Sequence, residues 1–183
     1  MADLVLRTGA ARLWLMRLSF ALIGLAIILI DLMPLETAPR RWAGPDLLLA
    51  LIFAWTIRRP AYAPLLIVAL LMLLSDLMLQ RPPGLMAALV VLGCEWLKGR
   101  GRAMRELPFA AEWLAASVAM AGVVIGYRVL LVVFVTDLPP LFLNLMQLVV
   151  SAAIYPLVVL ASVLLFGLRK QSPGEAAALG SRI

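Results

Sequence analysis

The chain has 183 residues, of which 64% are apolar and 14% charged, and its mean hydropathy is +1.05. A soluble domain is about 45–50% apolar and about 25% charged, and a chain this small cannot hide so much apolar surface from water. The composition therefore argues against a soluble enzyme, a disordered chain and a nucleic-acid-binding domain. The net charge of +6 has to be divided between two sides of a membrane before it means anything. The absence of His removes imidazole catalysis, metal ligation and proton relay. The lone Cys94 allows neither an intrachain disulfide nor a paired-cysteine site, and reads as a small packing residue.

Charges and prolines cut the apolar sequence into six segments. Arg7, Arg12 and Arg17 precede a long apolar run without a small-residue cleavage site, which predicts a retained first helix over 13–34. The second span, 45–58, ends at Arg58-Arg59-Pro60, and the third, 61–79, carries Asp76. Arg81-Pro82-Pro83 introduces the fourth, 83–97, which carries Glu95 and leads into a basic loop over 98–105. The fifth, 109–135, contains Arg128; Asp137-Leu138-Pro139-Pro140 is a turn, because paired prolines cannot continue a helix. The sixth is 141–168, and 169–183 reads as a frayed tail. The expected architecture is an all-α, polytopic six-helix bundle, one transmembrane domain over 1–168. A spanning helix needs about 20 apolar residues, and the second and fourth segments fall short of that.

The basic residues sort by side. With one crossing per segment and the N-terminus inside, twelve of the sixteen fall inside, three (Arg40, Arg41 and Arg81) fall outside, and Arg128 stays within the membrane. That is the positive-inside pattern. Trp14, Trp55, Tyr62, Trp96 and Trp113 then sit at inner ends and Trp42 at the outer side, as interfacial aromatics do. Both termini are expected in the cytoplasm. Arg58, Arg59 and the 98–105 cluster are expected at the inner surface, serving topology and attraction to anionic lipid.

Intramembrane charges are paired, functional, or snorkel to the headgroups. Arg128 lies at the level of Asp76 and Asp46, so it either pairs with one of them beside an outward-facing cavity or snorkels. Gly44-Pro45-Asp46 reads as a helix start, with Pro45 at the first helical position and Asp46 in the first turn. Ala119, Gly122 and Gly126 form a small-residue stripe that would let another helix approach closely. Asn144, Gln147, Ser151 and Tyr155 share one helical face. That face should meet the bundle or a partner, through interhelical hydrogen bonds or as the lining of a ligand cavity. There is no Walker loop, dinucleotide fingerprint, zinc-protease motif or nucleophile elbow, so neither catalytic residues nor a cofactor is expected.

Trp42-Ala43-Gly44-Pro45-Asp46, then Arg59-Pro60, then a helix ending in Asp76, then Arg81-Pro82-Pro83-Gly84-Leu85, resembles the MreD family of bacterial rod shape-determining membrane proteins. The resemblance covers 42–97 by motif and the whole chain by length and span count. Family members often carry glycines in the helix before the Asp, and 64–75 has none. The resemblance implies a non-enzymatic scaffold in the bacterial inner membrane. Such a scaffold would bind the bitopic MreC and help link MreB filaments to the polymerase RodA and its penicillin-binding transpeptidase during peptidoglycan synthesis. It also implies a fold similar to the six-helix substrate-binding subunits of energy-coupling-factor transporters, hence a second expectation, a pocket for a small molecule or lipid carrier.

Overall fold

The structure is a computed structural model that describes residues 2–33, 43–104, 108–134 and 140–168, with side chains from residue 10 to 33, 43 to 101, and throughout the last two stretches. Six helices follow in chain order: α1 (Ala2–Asp31), α2 (Leu47–Arg58), α3 (Leu65–Met78), α4 (Leu85–Met104), α5 (Phe109–Val133) and α6 (Leu141–Phe166). Ala10–Asp31 within α1, together with α5 and α6, are long and apolar enough to cross a membrane, and the chain is membrane-embedded. Two helices outrun their predicted limits. α1 starts at Ala2, and α4 continues to Met104 through the stretch expected to be a basic loop. A single Gly costs a helix only about 1 kcal/mol, and basic residues suit its C-terminal end. Gly99 and Gly101 therefore do not stop α4. Trp42, Arg40, Arg41, Arg105, Asp137 and the predicted tail 169–183 lie outside the described residues.

The helices alternate in direction. The end at which α2 begins is called upper below, and the end at which it finishes lower. α3 packs against α1 and α4, α4 against α5, and α5 against α6, while α2 touches α1, α4, α5 and α6. α1, α3, α4, α5 and α6 thus pack in a row that curves around α2. Every residue from 48 to 56 is buried. A helix that is apolar all round belongs in such a position. At 12 residues α2 is about 18 Å long, and burial frees it from matching the thickness of lipid. The long helices instead expose Leu22, Leu29, Val118, Ile125, Val149, Leu157 and other large apolar side chains.

Trp55, expected at an interface, is fully buried on α2. Its ring lies 5.2 Å from that of Phe20 on α1 and 5.5 Å from that of Phe166 on α6. Its Nε1–H donates to Ser162 Oγ at 3.2 Å. One indole thus joins α1 to α6 across α2. Trp14 and Trp96 remain exposed, with the guanidinium groups of Arg17 and Arg100 over their rings at 5.2 and 4.1 Å. Two glycines permit the close packing around α2 and α3. A Cβ on Gly24 would lie 2.7 Å from Leu71 Cδ1, and one on Gly93 would lie 3.0 Å from Phe53 Cζ.

Pro156 lies inside α6. It has no N–H, so the carbonyl four residues earlier, that of Ala152, has no helical donor. The Trp113 indole on α5 fills this place, with Nε1 donating to Ala152 O at 2.7 Å. A hydrogen bond of this kind contributes about 1 kcal/mol. Trp113→Phe is expected to destabilise the protein by about that amount, and by much less in a Pro156→Ala background, where the Ala N–H takes the carbonyl. Unfolding titrations in mixed micelles on the four proteins of this cycle measure the coupling; equal losses in both backgrounds would contradict the contact.

Candidate functional site

Four of the motif residues, Pro45, Asp46, Asp76 and Gly84, lie at the upper end, near the starts of α2 and α4. Asp46 is the N-cap of α2, its Oδ1 accepting from Leu49 N at 2.9 Å. The helix therefore begins at Leu47, two residues later than expected, and Pro45 lies outside it. Asp46 N donates to Ser151 Oγ at 2.7 Å, and Ser151 Oγ donates to the backbone carbonyl of Gln147 at 2.7 Å. Ser151 thus ties the start of α2 to α6.

Asp76 is fully buried near the end of α3. Its Oδ2 accepts from Gly84 N at 3.1 Å and from Ala87 N at 3.3 Å. A carboxylate on one helix thus performs the N-cap function for the next, satisfying orphan N–H groups and facing the positive end of the helix. Gly84, at φ +82°, makes the turn that brings α4 to it. Between them α3 ends with Gln80 at φ +55°, and Arg81 N donates to the Asp76 carbonyl at 2.9 Å, the left-handed helix ending that Gly usually supplies. Asp76 Oδ1 has no hydrogen-bond partner among the described residues.

The carboxylates of Asp46 and Asp76 are turned to helix N-termini, and Arg81 is a basic group whose charge acts on Asp76. Asp46 finds its donor within its own first turn, and Asp76 finds its donors at the start of the next helix. Within the small stripe, Ala119 is buried and Gly126 is close to α4, since a Cβ there would sit 3.1 Å from Leu89 Cδ2. Gly122 is exposed with nothing near it, so only the upper glycine of the pair serves close packing. Of the family-motif positions at the lower end, Arg59 closes α2 with its N–H on the Trp55 carbonyl at 2.8 Å, and Pro60 follows in the turn to α3.

A cavity of about 430 Å³ opens at the upper end between α1, α2, α3 and α6. Its polar lining is Asp31, Asp46, Ser75, Arg81, Asn144 and Gln147. It thus takes in Asp46 and the upper half of the α6 polar face, whereas Asp76 and Arg128 lie outside its lining. The size falls within the range of ligand pockets, about 300–1,000 Å³.

The lower end holds a second polar cluster that sequence reasoning missed. Arg58, expected at the lipid surface, turns into the bundle. Its Nε donates to Glu112 Oε1 at 2.7 Å and its Nη2 to Oε2 at 3.3 Å. Glu112 is fully buried, and Arg58 only 11% exposed. Tyr155 OH also donates to Glu112 Oε1 at 3.4 Å, and Arg58 Nη1 donates to the Leu168 carbonyl at 3.3 Å. Leu168 is presented by Gly167, which ends α6 at φ +64°. One signal existed in the sequence. A helix apolar on every side must be buried, so the Arg at its end has to find its counter-charge inside the protein.

No family model matches the chain, and neither a curated protein nor a solved structure matches it.

Removing one partner of a buried pair strands the other charge, at about 3–5 kcal/mol, whereas replacing both with apolar groups is often neutral. Glu112→Leu and Arg58→Met are each expected to destabilise by that amount, and the double variant by far less. Unfolding titrations of the three variants test this; additive losses would rule out a mutually dependent pair.

Proposed function

We propose that the chain is a non-enzymatic scaffold of the bacterial cell-elongation complex. It would bind MreC and, directly or through MreC, help couple MreB filaments, RodA and its transpeptidase to peptidoglycan synthesis. The observation that carries this reading is where the motif polar residues are engaged. Asp46, Asp76 and Gly84 are spent on the joints between helices, which is what a framework presenting its outer faces to other membrane proteins requires. Those outer faces are broad and apolar on α1, α5 and α6. In this reading all six helices insert in the inner membrane, with α2 shielded by the other five and both termini in the cytoplasm.

The cavity favours a second reading, a membrane subunit that binds a small molecule or lipid carrier for transport. The two part on what the protein holds. Tagged full-length protein extracted gently from its own cells is expected to bring down a bitopic MreC-like protein, and its depletion to turn rods into spheres. Copurification with an ATPase module, with cell shape unchanged, would overturn the scaffold.

A further inference from the structure

The upper cavity is richer in uncommitted polar groups than a packing defect would be. Four side chains in its lining, Ser75, Arg81, Asn144 and Gln147, make no side-chain hydrogen bond or ion pair with any described residue. Ser75 among them is only 4% exposed. Arg81, Asn144 and Gln147 are half-buried, and all four side chains line one space. Arg81 interacts with Asp76 only through space. Asp46 gives one carboxylate oxygen to the α2 cap and presents its remaining charge to the same cavity.

The chemistry of the lining selects its ligand. A guanidinium, two amides and a hydroxyl supply many donors, suited to the oxygens of a phosphate. The carboxylates of Asp46 and Asp31 line the same cavity, and they repel a ligand that is only anionic. An anionic group joined to an ammonium satisfies both. The cavity lies at helix ends, where headgroups lie, and it is bounded by α1 and α6, which are joined across α2 by Trp55. A headgroup can enter there while its acyl chains stay in the bilayer.

We infer that the upper cavity is a binding site for the headgroup of an amine-bearing zwitterionic phospholipid. Arg81, Ser75, Asn144 and Gln147 hold the phosphate, and Asp46 holds the ammonium. This site stands independently of the scaffold reading and requires only that the chain be embedded in a membrane.

Native mass spectrometry of the full chain in detergent, titrated with dioleoyl phosphatidylethanolamine, phosphatidylglycerol or soluble O-phosphoethanolamine, tests it. One phosphatidylethanolamine per protein is expected, held at least tenfold more tightly than phosphatidylglycerol or the soluble headgroup. Arg81→Gln and Asp46→Asn should each weaken it at least fivefold. Asn is as good an N-cap as Asp, so Asp46→Asn removes charge and keeps the helix start. Should Arg81→Gln fail to fold, Gln147→Leu reads the same site. Lys98→Gln, at the far end of α4, should leave binding unchanged. Equal or tighter binding of phosphatidylglycerol, equal binding of soluble O-phosphoethanolamine, or unchanged affinity in the cavity variants would overturn the assignment.

Discussion

A short helix whose body is buried on every side needs protein groups to close its polar ends. α2 imposes that constraint here. Its upper end is closed by its own Asp46 and by Ser151 of α6. Its lower end places a guanidinium inside the bundle, and the Glu112 carboxylate from α5 and the Leu168 carbonyl following α6 answer it. α5 and α6 are thereby held to α2 at the lower end, and α6 at both. Between those ends Trp55 bonds α6 and stacks against α1. The surrounding helices are placed by the demands of the helix they cover.

The same logic recurs where helices meet each other. Asp76 supplies the start of α4 with an acceptor that the local sequence lacks, Gly84 having no side chain to give. Trp113 supplies a donor to the carbonyl that Pro156 leaves open. In a low-dielectric surrounding each unmet backbone group is costly, so these pairings do for the bundle what water does for a soluble protein. Against that background the uncommitted polar groups around the upper cavity stand out as chemically available.

The number and order of the helices were legible in the sequence, because charges and prolines interrupt apolar runs wherever the chain turns. The end of α4 was misplaced for a physical reason: Gly99 and Gly101 read as a loop, yet isolated glycines only weaken a helix that its neighbours extend. The pairings were not legible, since they join residues far apart in the chain. Asp76 was singled out as a candidate partner for Arg128, and its carboxylate accepts from a helix start eight residues on. Arg58 and Trp55 were read as surface groups because each sits near a segment end. Their burial follows from the tertiary position of α2, which the 12-residue length hinted at and single-segment reasoning could not place.

The enclosure of α2 is the claim on which the rest depends, and labelling from the lipid phase tests it most directly. With the full chain reconstituted in vesicles carrying a photoactivated carbene on the acyl chain, labelled peptides can be mapped after digestion. The structure predicts heavy labelling of α1, α5 and α6 and almost none over residues 48–56 of α2. Labelling of α2 at the level of α5 or α6 would contradict its enclosure.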